Sequence, residues 1–332
     1  MTKDKGKNII FIGGGIVLLL FIMLLAVSFS AFSRDAIFIS PTQSWMAFVH
    51  IITGVSPTSV SEKIAVFRIQ RVLAATLAGG LLAMGGVLYQ TNLMNPLVDP
   101  YLLGVSAGAS LGAVIAYRFH LPGPTWIYAF IFSLVAFAFS YTLGKGNRLK
   151  IVLAGVVISS LVSAAITLVL IMWNDSLHNI LAWLMGSFAM ADGNKVFLQF
   201  VVFEFVFIFL LITHRVLDIM LLGDEVAHSV GIDIHIYRTV FLIIASLAAA
   251  IVAAFYGIVS FVGLMAPHMA RILVGDKHLI KVPLSVLLGA ILLVIGDFFS
   301  RAALYPMEIP IGVFTSVVGG IFFLYLVVRG DW

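Results

Sequence analysis

The sequence predicts an all-α polytopic membrane protein: one membrane domain over residues 1–332, about ten spanning helices, and both termini cytoplasmic. Three observations predict it. Hydrophobic residues make up 62% of the chain and charged residues 10%, against about 25% charged in a soluble domain. Apolar runs near the ~20 residues needed to cross a bilayer recur at 9–29, 66–88, 98–118, 124–144, 150–172, 195–214, 237–257, 258–274, 282–300 and 311–328. With the N-terminus inside, the external segments hold Arg34, Lys63, Arg68, Arg71, Arg118, Lys195 and Arg301, leaving twelve of the 19 basic residues on cytoplasmic segments. That is the bias expected of multi-pass proteins.

Lys3, Lys5 and Lys7 precede the first run. The run exceeds the ~7–15-residue apolar core of a cleaved signal, so it reads as a retained span. The loop from Ser30 to Ile64 carries the breakers Pro41, Gly54 and Pro57, and Trp45 and Phe48 suit a short amphipathic helix at the interface. Between the second and third spans lie Asn92, Asn95, Pro96, Asp99 and Pro100. Proline lacks the amide hydrogen and pushes its predecessor out of helix. Broken backbone at a membrane face lines a cavity or gate; a simple tight turn is the alternative.

Gly104, Gly108 and Gly112 recur every four residues, as do Gly312, Ser316 and Gly320. Small residues at that spacing let helices approach closely in lipid, within the chain or across a dimer seam. The segment Asn174–Asn194 is external and folds back as a short helix. Glu204 sits mid-span, where a charge costs ~2.5–3.5 kcal/mol on insertion scales. It is either a carboxyl facing the bundle or the titrating group of a proton-coupled carrier. The run 258–274 is the weakest span because it contains Pro267, His268 and Arg271; without it the count is nine and the termini lie on opposite sides. Asp297 and Arg301, four residues apart, share a helical face as an intrahelical pair.

The chain is organised around Val216–Gly231, a polar stretch too short and too charged to span. Val216, Ile219, Met220 and Leu222 suggest one short helix, ended by Gly223 in the left-handed conformation. Asp224 can N-cap a second, with Glu225 in its first turn and Gly231 at its end. Such a helix pair on the membrane surface is a lever or a socket.

Several chemistries are excluded or unsupported. There is no cysteine, so thiol catalysis and thiolate metal sites are absent. No stretch matches G-x-x-x-x-G-K-[ST], H-E-x-x-H or G-x-S-x-G. His268 and His278 are too isolated to make a metal site, and no catalytic set appears. A net charge of +4 without a basic block gives no reason to expect nucleic acid.

Six ordered segments carry a resemblance: Asn95–Pro100, Leu102–Ala109, Leu153–Gly155, Leu222–Gly231, Phe261–Arg271 and Glu308–Gly312. In these, over about residues 35–329, the chain resembles the permeases of iron-chelate and vitamin B12 ABC importers (FecCD-type). The resemblance implies ten helices per subunit in the cell membrane of a prokaryote. It implies a second permease subunit, identical or not, two ATPase subunits holding ATP and Mg, and an external substrate-binding protein. This chain itself would bind no cofactor. A ferric siderophore is the expected cargo, with haem or cobalamin as alternatives. Leu222, Gly223, Asp224, Glu225, Ala227 and Gly231 match the segment that couples to the ATPase. Arg68, Arg71 and Arg301 match arginines that dock the binding protein, although Gln70 replaces a usual proline. Asn95, Pro96 and Leu97 match a region near the cytoplasmic gate. Arg148 and Leu149 stand where a second gate's polar residues are expected. From another class, a stand-alone proton-coupled carrier using Glu204 is the alternative; an intramembrane enzyme lacks residues to support it.

Overall fold

A computed structural model describes residues 2–29, 38–57, 59–145, 147–172, 177–304 and 307–329. Among them are thirteen helices: α1 (Thr2–Ser28), α2 (Pro41–Thr53), α3 (Val60–Leu93), α4 (Val105–Arg118), α5 (Thr125–Gly144), α6 (Arg148–Met172), α7 (Leu177–Leu184), α8 (Gly193–Met220), α9 (Asp224–Ser229), α10 (Ile234–Tyr256), α11 (Val262–Val274), α12 (His278–Ala302) and α13 (Ile311–Arg329). No strand occurs among the described residues. Arg34 and Asn174 lie outside them.

Each of the ten apolar runs corresponds to a helix, but two of those helices are short. Eight are long and apolar enough to cross a membrane. The run 98–118 becomes the 14-residue α4, and 258–274 becomes the 13-residue α11. At 1.5 Å per residue these reach only ~20 Å, short of a ~30 Å hydrocarbon core. The cause lies in their first residues. Gly104 sits at φ 85° before α4, and Phe261 at φ 69° before α11, so neither helix extends further back. Non-helical backbone is tolerated in a membrane where protein buries it. Here the segment after α7 joins the end of α10 to the start of α13: Ser187 N–H donates to Tyr256 O (2.8 Å), and Ile311 N–H to Gly186 O (3.1 Å).

The two expected surface helices are present as α2 and α7. Ser40 caps α2 with Gln43 in a reciprocal box, and Pro41 supplies a first-turn residue whose missing amide costs nothing. Trp45 and Phe48 lie one turn apart on it, ring centroids 5.9 Å apart.

The core is built on α3, 34 residues and ~51 Å long. It packs against α12, α10, α8, α11 and α2. Glycine sets how close its neighbours come. A Cβ on Gly79 would sit 2.1 Å from Gly289 O, and one on Gly86 1.7 Å from Gly263 O. The two small-residue stripes separate. Gly108 and Gly112 seat α4 on the Phe132 and Tyr128 carbonyls of α5, so that stripe serves packing within the chain. In α13, Gly312 packs on Met185 O, while Ser316 is exposed and Gly320 has open space around it. Buried polar side chains tie helices together: Gln199 of α8 donates to Ala74 O of α3 (3.2 Å) and accepts from Tyr256 of α10 (2.8 Å).

Candidate functional site

One end of the bundle carries α9, the C-terminal ends of α3 and α8, and the N-terminal ends of α6, α10 and α12. The expected pair of short helices at Val216–Gly231 is not formed. Val216–Met220 is the last turn of the long α8, anchored by buried Leu217 and Met220. Gly223, at φ 110°, is a joint at the N-cap position and not a left-handed stop. Asp224 does not cap α9 either. Its carboxylate is held by other cations: Arg238 Nη2 donates to both oxygens at 2.9 Å, and Arg148 Nη2 pairs with Oδ1. Gly231 ends the element at φ 84°, as its sequence position predicts. Asp233 then caps α10, accepting from the His235 and Ile236 amides.

This leaves α9 with a divided surface. Ala227 is fully buried against the bundle. Leu222, Val226 and Val230, four residues apart, are exposed together with Glu225 and His228. Three exposed apolar side chains, one on α9 and one on either side of it, leave an apolar strip uncovered by the rest of the chain.

The joint after α3 is two turns of the same design. Met94 takes the left-handed conformation, and Asn95 N–H reaches back to Gln90 O (3.1 Å), closing α3 in a Schellman arrangement. Asn95 Oδ1 then accepts from Leu97 N–H (2.9 Å) across Pro96. Asp99 Oδ1 accepts from Tyr101 N–H (2.8 Å) across Pro100. An Asx side chain two residues before the amide it binds is a self-contained turn, and proline between them fixes the backbone. Turn and gate are therefore not exclusive. Met94, Asn95 and Pro96 line one wall of a cavity of about 830 Å³, and Asp218, Leu221 and Leu222 of the coupling stretch line another. Leu97 is exposed beside it. Asn95 and Pro96, expected at a gate, and Asp218, Leu221 and Leu222 thus face one space.

At the opposite end lies a buried ionic cluster. Arg71 Nε donates to Asp297 Oδ1 (2.6 Å), and its two terminal nitrogens to Glu308 Oε1 and Oε2 (2.9 Å each). Arg301 donates to Asp297 Oδ2 (3.1 Å), the i,i+4 pair its spacing predicts, and to Ala26 O (3.0 Å). Arg68 donates to Val27 O and Ser28 O. Three cations meet two carboxylates and the carbonyl end of α1, whose dipole is negative there. The three arginines expected at a docking surface thus meet groups of the chain itself. All three are buried, Arg71 completely, and their donors are committed within the chain. Glu308 alone of the cluster is substantially exposed, with 43% of its side chain accessible.

Residues 16–329 match the FecCD transport family. The chain belongs to that family. FecCD relatives include the ABC transporter permease YvrB of Bacillus subtilis, 37% identical over 79% of this chain and 77% of that one. The hemin transport permease HmuU of Yersinia pestis is 34% identical over 79% and 82%. The vitamin B12 import permease BtuC of Vibrio vulnificus is 31% identical over 94% and 93%. A solved structure described as an inward-facing metal-chelate type ABC transporter superposes with TM-score 0.82 at 26% identity, over 96% of this chain and 98% of that one. The protein is an ABC importer permease of the metal-chelate family. Within FecCD, the stand-alone proton-coupled reading of Glu204, half-buried on α8, loses its support.

Sequence reasoning missed several members of the site. Asp218 and Arg238 were visible only as isolated charges. His278 binds Asp218, 60 residues away in sequence, and Thr91, 187 away; no local pattern joins them.

Proposed function

We propose that this permease moves a ferric siderophore across the cell membrane of a prokaryote, driven by two separate ATPase subunits that hold ATP and Mg. Haem or cobalamin is the alternative cargo, favoured by the hemin and vitamin B12 relatives. The carrying observation is that the coupling stretch and the gate turn line one cavity at one end of the bundle. The exposed face of α9 seats in a cleft of the ATPase. When ATP closes the ATPase pair, α9 is displaced and the wall bearing Asn95 and Pro96 moves with it. A second permease subunit, identical or not, covers α6 and α13. Only 11% and 22% of their most apolar windows are buried, against 83% for α3, and Ser316 and Gly320 offer a close-packing face. An external binding protein docks at the opposite end, with the Arg68, Arg71 and Arg301 cluster as the support beneath that surface.

Affinity purification of the tagged chain from host membranes tests this reading. An ATPase in about equal amount is expected, and Glu225→Lys is expected to lose it. Glu225 is the cleaner probe because reversing Asp224 would also set three cations together. A chain that purifies alone and takes up cargo from a proton gradient would overturn the assignment.

A further inference from the structure

The coupling stretch is linked at one end to the last turn of α3 and at the other, through Arg148, to Met94 just beyond it. At one end, Asp218 Oδ1 accepts from the backbone amide of His278 (2.9 Å) and lies 2.7 Å from its Nδ1. With Nδ1 donating, Nε2 of the neutral ring accepts from the Thr91 hydroxyl, 2.9 Å away. His278 and Thr91 are buried, and Asp218 stands partly exposed on the cavity wall. At the other end, Arg148 pairs with Asp224 and also touches Met94 Sδ. Met94 adjoins the Asn95–Leu97 turn, and Thr91 lies one helical turn before it. Between the two ties, Leu221 and Leu222 face the cavity. An open space has no atoms to push with, so packing does not transmit motion there.

We propose that Thr91–His278–Asp218 and Arg148–Asp224 are tie rods that make α9 and the gate turn move as one body, with His278 and Arg148 as positioning residues. This rests on the importer reading above. Gly223 and the cavity leave the stretch free to tilt; the ties set what tilts with it. Displacement of α9 then reaches the gate turn across space and not along more than a hundred residues of chain.

The test uses the whole transporter with its ATPase and binding protein in liposomes, with a radio-iron-loaded hydroxamate siderophore as cargo. Thr91→Val removes the hydroxyl and keeps the shape; Thr91→Ser keeps the hydroxyl. Cargo moved per ATP hydrolysed is expected to fall about tenfold in the valine variant, the scale of one buried hydrogen bond, and to stay at the unaltered level in the serine variant. A purely structural role would lower the yield of assembled complex and leave that ratio unchanged, which would overturn the proposal. A second measurement does not depend on that fold. The chain has no cysteine, so Met94→Cys and Leu221→Cys, on facing walls of the cavity, can be bridged by a short bismaleimide. Uptake equal to that of the unbridged pair is expected. Loss of uptake with continued ATP hydrolysis would mean that the two walls move apart, and the tie rods would be refuted. If the unaltered chain shows no ATP-driven uptake of this siderophore, of haem or of cobalamin, the importer reading fails instead.

Discussion

Arg71 has no exposed surface, and three of its nitrogens bind Asp297 and Glu308. Removing one partner of a buried ionic group leaves charge without compensation, so Arg71→Ala is expected to cost ~3–5 kcal/mol of stability. Arg71→Lys keeps the charge but loses the paired geometry of the guanidinium and should fall between. Thermal unfolding in detergent reads both. An unchanged midpoint in the alanine variant would show that the cluster is solvated. At this scale the sequence was half legible. The Asp297–Arg301 pair follows from a spacing of four. The Arg71–Asp297 pair spans 226 residues and needs the tertiary fold, and without it three arginines look like free hands. The same distance hid the Thr91–His278–Asp218 chain.

Helices were legible by apolar length, and the rule failed where depth is shared between helix and turn. The runs 98–118 and 258–274 are apolar enough to read as spans, yet Gly104 and Phe261 begin their helices late. Hydropathy registers depth and not backbone form. Asn95-Pro-Leu and Asp99-Pro-Tyr carried the missing information, since each writes an Asx turn into three residues. The glycines act at the same scale. Gly86→Val would drive a side chain into the Gly263 carbonyl and force α3 from α11; loss of monodisperse protein is expected. Gly14→Ala on α1 meets nothing within 4 Å. Its stability is expected to stay within about 0.5 kcal/mol of the parent, or to rise by the gain in helix propensity. Equal behaviour of the two variants would mean that the α3–α11 contact is not close.

Over the whole molecule, α3 joins the two ends. Its first half carries Arg68 and Arg71 in the ionic cluster, and its last turn carries Thr91 beside the proposed gate turn. That arrangement has a consequence for biogenesis. Arg71 enters the membrane with α3, but Asp297 lies 226 residues further along the chain. At ~5–20 residues per second, the counter-charge is made roughly 10–45 s later. During that interval α3 holds Arg71, whose final partners on α12 and at Glu308 do not yet exist. The nascent protein must therefore keep α3 near water, lipid phosphates or an insertion chaperone until α12 arrives. A chain stopped after Lys277 is expected to be cleared by membrane proteases, and a stable, protease-resistant product would show that α3 settles without its counter-ions. The last third of the sequence thus acts as the release signal for the first.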